Sequence, residues 1–150
     1  SAVIDACAAP SDQRTGTWIN KDIRQLYIAL HKMGFAHSIE VWSEGALIGG
    51  LYGVALRAAF FGESMFSRKS DASKIALVHL MARLRHGNFL LLDAQFTNDH
   101  LQQFGVTEID RSDFRGRLAE ALASDGDLHF DTPSAALITP YLDQLHKRHA

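Results

Sequence analysis

The segment from residue 36 to residue 54 constrains the fold more than any other part of this 150-residue chain. Apolar and polar residues alternate with period two from Ala36 to Ser43, which is typical of a strand. Glu44 and Gly45 then fit a two-residue turn, and residues 46–54 return as a second strand interrupted by three glycines. The chain therefore contains an antiparallel hairpin, which excludes an all-helical fold.

Helical spacing and apolar runs predict the remaining elements. Asn20 caps a predicted helix over residues 21–33 that ends at Gly34, and Ser70 caps a predicted helix over residues 71–86 that ends at Gly87. The other predicted elements are a third strand over residues 58–66, a strand buried on both faces over 89–96, a short helix from Thr97 or Asn98, a short strand over 105–109, a helix from the cap Ser112 to Ala123 and a helix from Ser134. No element is predicted before Thr17, where a short apolar piece precedes a polar stretch. This order predicts an α+β fold, a mixed sheet flanked by helices, arranged as in acetyltransferases (GNAT-related).

Composition narrows the class of protein. A chain of 150 residues with 47% apolar residues is expected to form one domain with its own core. A formal net charge of −2 argues against a protein that coats nucleic acid by charge alone. The longest apolar run, residues 46–56, is shorter than a membrane helix, so we expect no membrane partner. The single Cys7 and the absence of a secretory signal in this sequence predict a cytoplasmic location.

A carboxylate and an amide interrupt the most apolar predicted strand. Asp93 and Gln95 occupy alternate positions near its end, so strand geometry predicts that they share one face. A buried carboxylate needs a partner, and ligands bind at strand ends in open α/β sheets. Asp93 and Gln95 are therefore candidate catalytic residues. The alternative is that they cap the following helix or hold a loop.

Glu63 interrupts the third predicted strand. On a period of two it shares a face with Phe61 and Met65, which sets a charge beside apolar walls. Such a surface suits an apolar side chain attached to a cationic amine. The alternative is an edge strand in which Glu63 pairs with a structural Arg or Lys.

Three glycines in the second strand also have two interpretations. Gly49, Gly50 and Gly53 allow either the close approach of a ligand to the backbone or a bulge that bends the sheet, and we favour the bulge. No glycine lies between the third strand and the following helix, so the pyrophosphate loop expected of an acetyl-coenzyme A binder is missing.

The histidines, the cysteine and the basic residues indicate function less clearly. The eight histidines lack ligand spacing, and we predict neither a metal nor another cofactor. Cys7 is predicted to be a buried structural thiol. Arg83 and Arg85 are predicted to lie on a solvated helix face, with a modest basic surface as the alternative.

Several motifs in register, between residues 2 and 114, together resemble leucyl/phenylalanyl-tRNA-protein transferases. They are Thr17-Trp18-Ile19, Ala36-His37-Ser38-Ile39-Glu40-Val41-Trp42, Gly49-Gly50-Leu51-Tyr52-Gly53-Val54, Phe61-Gly62-Glu63-Ser64-Met65-Phe66-Ser67 with Ala72-Ser73-Lys74, and Leu92-Asp93-Ala94-Gln95 with His100 and Gly105. The resemblance implies a fold related to acetyltransferases and the transfer of Leu or Phe from aminoacyl-tRNA to proteins with N-terminal Lys or Arg, which marks them for N-terminal-rule degradation. In this family a further N-terminal segment precedes the matched part, so we expect residues 1–150 to be the catalytic domain without that segment.

The resemblance also implies roles for individual residues. Asp93 and Gln95 correspond to the catalytic pair, in which the carboxylate orients the amide and the amide accepts a hydrogen bond from the attacking amine. Glu63 corresponds to a residue that faces a cationic group, either the amine of the donor amino acid or the basic terminus of the acceptor. The residues implied around the substrate are the pocket walls Leu51, Phe60, Met65 and Leu92, and Trp18 beside them.

Two alternatives stay open at this point. One is an acyl-coenzyme A-dependent N-acyltransferase of related fold. The other is a non-catalytic module that binds basic N-termini through Glu63.

Overall fold

A mixed sheet with strand order β1-β2-β3-β4 forms the centre of the molecule. The computed structural model describes residues 1–10, 16–95 and 99–149. Strands β1 (Ala36–Ser43), β2 (Ala46–Leu56) and β3 (Ala59–Ser67) are antiparallel, and β4 (Leu91–Asp93) runs parallel to β3. Within the described residues the helices are α1 (Ala2–Ala8), α2 (Lys21–Lys32), α3 (Ala72–His86), α4 (Asp99–Gln102), α5 (Arg111–Ala123) and α6 (Ser134–His149). The α+β class and the mixed sheet flanked by helices are therefore confirmed.

Helices cover both faces of the sheet. Leu51 of β2 packs in a buried cluster with residues of α3, whereas its neighbour Tyr52 packs with residues of α1. Successive side chains of a strand point to opposite faces, so α3 and α1 lie on opposite sides of the sheet. Cys7 of α1 is fully buried in the second cluster, as predicted.

The predicted ends of α2 and the predicted hairpin turn are confirmed. The side chain of Asn20 accepts the backbone N–H of Ile23 at 2.9 Å and so caps α2. Gly34 follows the helix in the left-handed conformation with φ of 84°. Glu44 and Gly45 have φ of 52° and 76°, and positive φ at both central residues defines the type I′ turn that joins twisted strands.

The start of the chain and two helix caps differ from prediction. Residues 2–8 form α1, because contacts with the sheet stabilise a helix that is too short to form alone. The first residue outside α3 is Asp71 rather than Ser70, and Ser67 of β3 accepts the backbone N–H of Ser73 in its first turn at 3.1 Å. α5 begins after Asp110 rather than after Ser112.

Two strand predictions are wrong in whole or in part. Residues 105–109 form no strand and follow α4 as a loop. β4 contains only Leu91–Asp93, and its residues are half-buried because it is the edge strand of the sheet. Phe96, Thr97 and Asn98, on which the predicted strand end and helix start fall, lie outside the described residues.

A β-bulge at Glu63 changes which β3 side chains share a face. Gly53 pairs with Gly62 and Tyr52 pairs with Ser64, so Glu63 is one extra residue opposite β2. Phe61 consequently packs on the cluster around Ala58 and Ala121, whereas Met65 packs on the Leu51 cluster. The predicted common face of Phe61, Glu63 and Met65 is wrong because a bulge shifts the period of two.

The glycines of β2 serve packing within the protein, which supports the bulge interpretation over ligand approach. Register shifts lie between Val41 and Trp42 and between Tyr52 and Gly53, near both ends of the glycine-rich stretch. A Cβ atom on Gly53 would collide with the carbonyl oxygen of Phe61 and with the ring of Phe60. A Cβ atom on Gly49 would collide with Ala72 at the start of α3.

Arg83 is buried, which contradicts the predicted solvated face and the alternative of a basic surface. Its side chain is 7% exposed, whereas Arg85 on the same helix is exposed as predicted. The guanidinium donates to three carbonyl oxygens and to one hydroxyl, namely those of Leu128 at 3.3 Å, His129 at 2.8 Å, Thr132 at 3.2 Å and Ser134 at 3.1 Å. Arg83 thus ties α3 to the loop that precedes α6.

Candidate active site

A cleft of about 1020 Å³ opens where β3 and β4 separate. The two strands pair only from Ala59 opposite Leu91 to Phe61 opposite Asp93. Beyond that point β3 continues to Ser67, while the chain after Asp93 leaves the sheet. Because the strands are parallel, the cleft lies at the carboxyl end of β4, the place where open α/β sheets bind ligands.

Asp93 and Gln95 both line this cleft. Asp93 is the last residue of β4, and its Oδ1 accepts the backbone N–H of Gln95 at 2.8 Å. Gln95 has the left-handed φ of 63° and an exposed side chain. A tight turn after β4 therefore brings both residues to the cleft, and not the alternation of side chains along a strand that the sequence predicted. The bond holds the loop, as one alternative expected, and it also fixes the backbone that carries the Gln95 amide. Catalysis by the pair stays a prediction.

Glu63 faces the same cleft from β3 and is half-buried at its bulge. Among the described residues it forms no salt bridge, so none of their Arg or Lys side chains is the structural partner that the alternative expected. Two phenols, those of Tyr27 and Tyr52, interact with Glu63. Burial and a hydrogen bond to Glu63 raise the pKa of Tyr27 far above its usual value. Burial raises the pKa of Tyr52 in the same way, and the neighbouring acidic groups Tyr27, Cys7 and Glu63 add to the shift.

Both phenols therefore stay protonated at neutral pH, and Tyr27 can donate to the carboxylate of Glu63. The hydroxyl of Tyr52 is buried and has no hydrogen-bond partner within the described part of the chain. No cation of the described residues pairs with the carboxylate of Glu63, which lies beside apolar walls, so this position suits a cationic ligand.

The predicted apolar walls divide between the cleft and the core. Leu51, Met65 and Leu92 line the cleft. Phe60 is 1% exposed and lies in the core against Leu51 and α3, away from the cleft surface. Sequence reasoning missed the wall formed by Leu101, Phe104 and Val106, because residues 105–109 were predicted to be a strand of the sheet.

Trp18 lies outside the cleft. Its indole is 47% exposed and meets the ring of Tyr27 edge to face, with centroids 6.3 Å apart. The ring of Tyr27 in turn lies 5.1 Å from that of Tyr52, which does line the cleft. Trp18 is therefore one end of a row of three aromatic rings that ends at the site.

Two arginines of α5 line the cleft and were not among the predicted site residues. Arg111 and Arg117 lie at one side with Phe114 between them, at the spacing of three residues that places side chains on neighbouring turns of one helix face. Neither arginine forms an ion pair with a described residue. The spacing was visible in the sequence, but nothing there placed α5 beside β4.

The described residues contain neither a metal-binding group nor a helix that could cross a membrane. No three or more of their His, Cys, Asp and Glu side chains form a group that could hold a metal ion. None of the helices in residues 1–10, 16–95 and 99–149 has the length and apolarity needed to cross a membrane.

Comparison with known proteins identifies the family. The family model described as leucyl/phenylalanyl-tRNA protein transferase matches residues 1–119. Proteins named leucyl/phenylalanyl-tRNA-protein transferase are 60% identical over 122 residues in Paramagnetospirillum magneticum, over 127 residues in Phenylobacterium zucineum and over 127 residues in Hyphomonas neptunium. These alignments cover 81%, 85% and 85% of this chain, and the chain spans 58%, 58% and 49% of the length of the respective relatives.

The matched residues include every residue that lines the cleft, as well as the row of aromatic rings that begins at Trp18. The resemblance inferred from the sequence motifs is therefore confirmed. This chain belongs to the leucyl/phenylalanyl-tRNA protein transferase family.

Proposed function

We propose that these residues are the catalytic aminoacyltransferase domain of a cytoplasmic enzyme, with a fold related to the acetyltransferases. It moves leucine or phenylalanine from Leu-tRNA or Phe-tRNA to the N-terminal Lys or Arg of an acceptor protein. The observation that carries this proposal is the position of Asp93 and Gln95 on one side of an apolar cleft and of Glu63 on the other. Membership of the family supports it.

The reaction is the aminolysis of an ester. The neutral α-amine of the acceptor attacks the ester carbonyl, a C–N bond forms, the C–O bond to the ribose breaks, and the proton lost by the amine ends on the leaving ribose oxygen. An α-amino group has a pKa of about 7.7–8.0, so a useful fraction is neutral near pH 7.5. The main task of the site is therefore to hold the amine and the ester together in a reactive geometry.

Gln95 and Asp93 perform this positioning. An amide is too weak a base to remove a proton, so the Gln95 side-chain oxygen accepts a hydrogen bond from the attacking amine and directs its lone pair. Asp93 acts through the turn, since its carboxylate holds the Gln95 backbone in the left-handed conformation. Asp93 is thus a positioning residue for Gln95.

The apolar walls select the donor amino acid. Leu51, Met65 and Leu92 present unbranched or γ-branched side chains to the cleft, and Met in particular adapts to both Leu and Phe. A methylene in such a pocket contributes about 1–3 kcal/mol to discrimination. Shape must therefore reject Val and Ile, whose branch lies nearer the ester.

Charge divides the two substrates between the two sides of the cleft. Glu63 faces a cationic amine or basic terminus. Arg111 and Arg117, which have no described ion-pair partner, face the phosphates at the 3′ end of the tRNA. A net charge of −2 suits an enzyme that binds only this end of the nucleic acid.

The direct test measures transfer of labelled leucine from Leu-tRNA to an Arg-initiated protein, with the Paramagnetospirillum relative as positive control. We expect Asp93→Ala and Gln95→Ala to abolish transfer, with circular dichroism unchanged. Gln25→Ala, an exposed amide on α2, is the matched control and should transfer normally.

Three results would contradict the proposal. Near-normal transfer by both Asp93→Ala and Gln95→Ala would remove the assigned roles. Tight coenzyme A binding without aminoacyl-tRNA binding would identify an N-acyltransferase. Binding of Arg-initiated peptides without any transfer would identify a non-catalytic module.

A further inference from the structure

Among residues 1–10, 16–95 and 99–149, no strand pairs with the outer edge of β3 along one side of the cleft. β4 pairs with β3 only as far as Phe61, and β3 continues for six more residues, 62–67, of which 62–65 line the cleft. Since Glu63 is the extra residue of a bulge, five of these six residues extend the edge, by about 17 Å at roughly 3.3 Å per residue, which is enough for four or five residues of an added strand.

The backbone groups that face outward can be assigned from the ladder. The N–H of Arg68 binds the carbonyl oxygen of Ile48 in β2 at 2.7 Å, so Arg68 faces β2. Backbone groups alternate sides along a strand, which turns Ser64 and Phe66 toward β2 and turns Met65 and Ser67 away from it. Within the described residues no backbone hydrogen bond uses the outward N–H and C=O of Met65.

The charge beside this edge indicates what occupies it. Glu63 is the single charged residue of β3, and it faces the same cleft without a described cation. β3 contains neither the Lys nor the Pro that commonly protects exposed edges from pairing. An extended polypeptide with a basic first residue complements both features, because its side chain meets Glu63 and its backbone meets the edge.

We propose that the acceptor polypeptide binds by adding a strand to this edge, with the residues after its N-terminus paired to β3 through the outward backbone groups of Met65. This inference rests on the proposed function and deepens it. The α-amine lies near Gln95 at the closed end of the cleft, and the remainder of the acceptor must leave through the open end. The added strand therefore runs parallel to β3. Recognition of this kind reads the first side chain and ignores most later ones.

A backbone N-methyl scan of the acceptor tests the proposal. The parent is an eight-residue Arg-initiated peptide with a C-terminal fluorophore, and four variants carry one N-methyl group at residue 2, 3, 4 or 5. In a parallel added strand, alternate residues donate to β3. N-methylation at those residues is expected to raise Kd, measured by anisotropy, about tenfold, whereas the intervening residues change it less than about twofold.

The outcomes separate this inference from the proposed function. A uniform effect at residues 2–5, no effect at all, or failure of the parent peptide to bind would overturn strand addition. Transfer of leucine to the parent peptide together with a uniform scan would leave the proposed function standing without the added strand. An alternating scan without transfer from Leu-tRNA would retain strand addition and refute the proposed function.

Discussion

Replacing Arg83 with Met should destabilise the fold by about 2–4 kcal/mol. Met matches the aliphatic part of the side chain, so the change removes the guanidinium with little loss of apolar volume. Three carbonyl oxygens and one hydroxyl then lose a cationic donor that lies 2.8–3.3 Å away. A hydrogen bond contributes about 1 kcal/mol net, and more when the donor is charged.

The sum is limited by two opposing effects. Burying the guanidinium without a described carboxylate partner has its own cost, which Met removes. Three of the four bonds are also only partly buried, so water can replace some of them. The four hydrogen bonds alone would give about 4 kcal/mol or more, and these two effects reduce the expected loss of stability to about 2–4 kcal/mol.

Urea unfolding, followed by the fluorescence of Trp18 and Trp42, measures this change. With an m value of about 2 kcal/mol per molar, the midpoint should fall by about 1–2 M at constant m. Arg85→Met, on the exposed face of the same helix, is the matched control and should move the midpoint by less than about 0.25 M. Equal midpoints for the two variants would refute the assigned role of Arg83.

Three further predictions concern the glycines, a half-buried histidine and the arginines of the cleft. Gly53→Ala should destabilise the fold by about 2–4 kcal/mol in the same urea assay, because the new Cβ collides with Phe61 and Phe60. Gly116 lies in α5 with open space around it, so Gly116→Ala should stabilise the fold by about 0.5–1 kcal/mol. Burial lowers the pKa of His37 below its ordinary 6.5, so the unfolded chain binds the proton more readily and stability is lost as pH falls below about 6.5. His37→Gln should reduce that loss between pH 6.5 and 5, and identical pH profiles would contradict it. Arg111→Ala and Arg117→Ala should each raise KM for Leu-tRNA and reduce the slope of log KM against log salt concentration by about one. Arg115, which is exposed outside the cleft, is the control, and Arg115→Ala should change neither quantity.

Local chemistry made α2 and the hairpin of β1 and β2 predictable. Asn20, Gly34 and the Glu44-Gly45 turn act through contacts within a few residues, so the sequence pattern was sufficient to place them. α1 escaped prediction because its stability comes from the sheet, which is distant along the chain. Arg83 was misplaced for the same reason, since its partners lie 45–51 residues away.

The site was predictable in its residue types and less so in its geometry. A carboxylate in an apolar run drew attention to Asp93 and Glu63, and both line the cleft. Their arrangement depends on a turn at Gln95 and a bulge at Glu63, and neither leaves a clear signal when a strand is read with a strict period of two. Phe60 is a residue type that commonly lines apolar pockets, yet here it is buried in the core and does not reach the surface of the cleft.

The bulge at Glu63 also bears on how this site tolerates change. Phe60 and Met65 are five residues apart and still contact the same apolar cluster, which an unbroken strand forbids. The extra residue allows side chains before and after it to point to the same face of the sheet. The core therefore depends on the backbone of this residue and not on its side chain. Deleting position 63 would turn every later side chain of β3 to the opposite face, whereas exchanging the side chain there leaves the packing intact. The carboxylate proposed to bind a cationic substrate group thus occupies a position of β3 whose side chain the apolar core does not require.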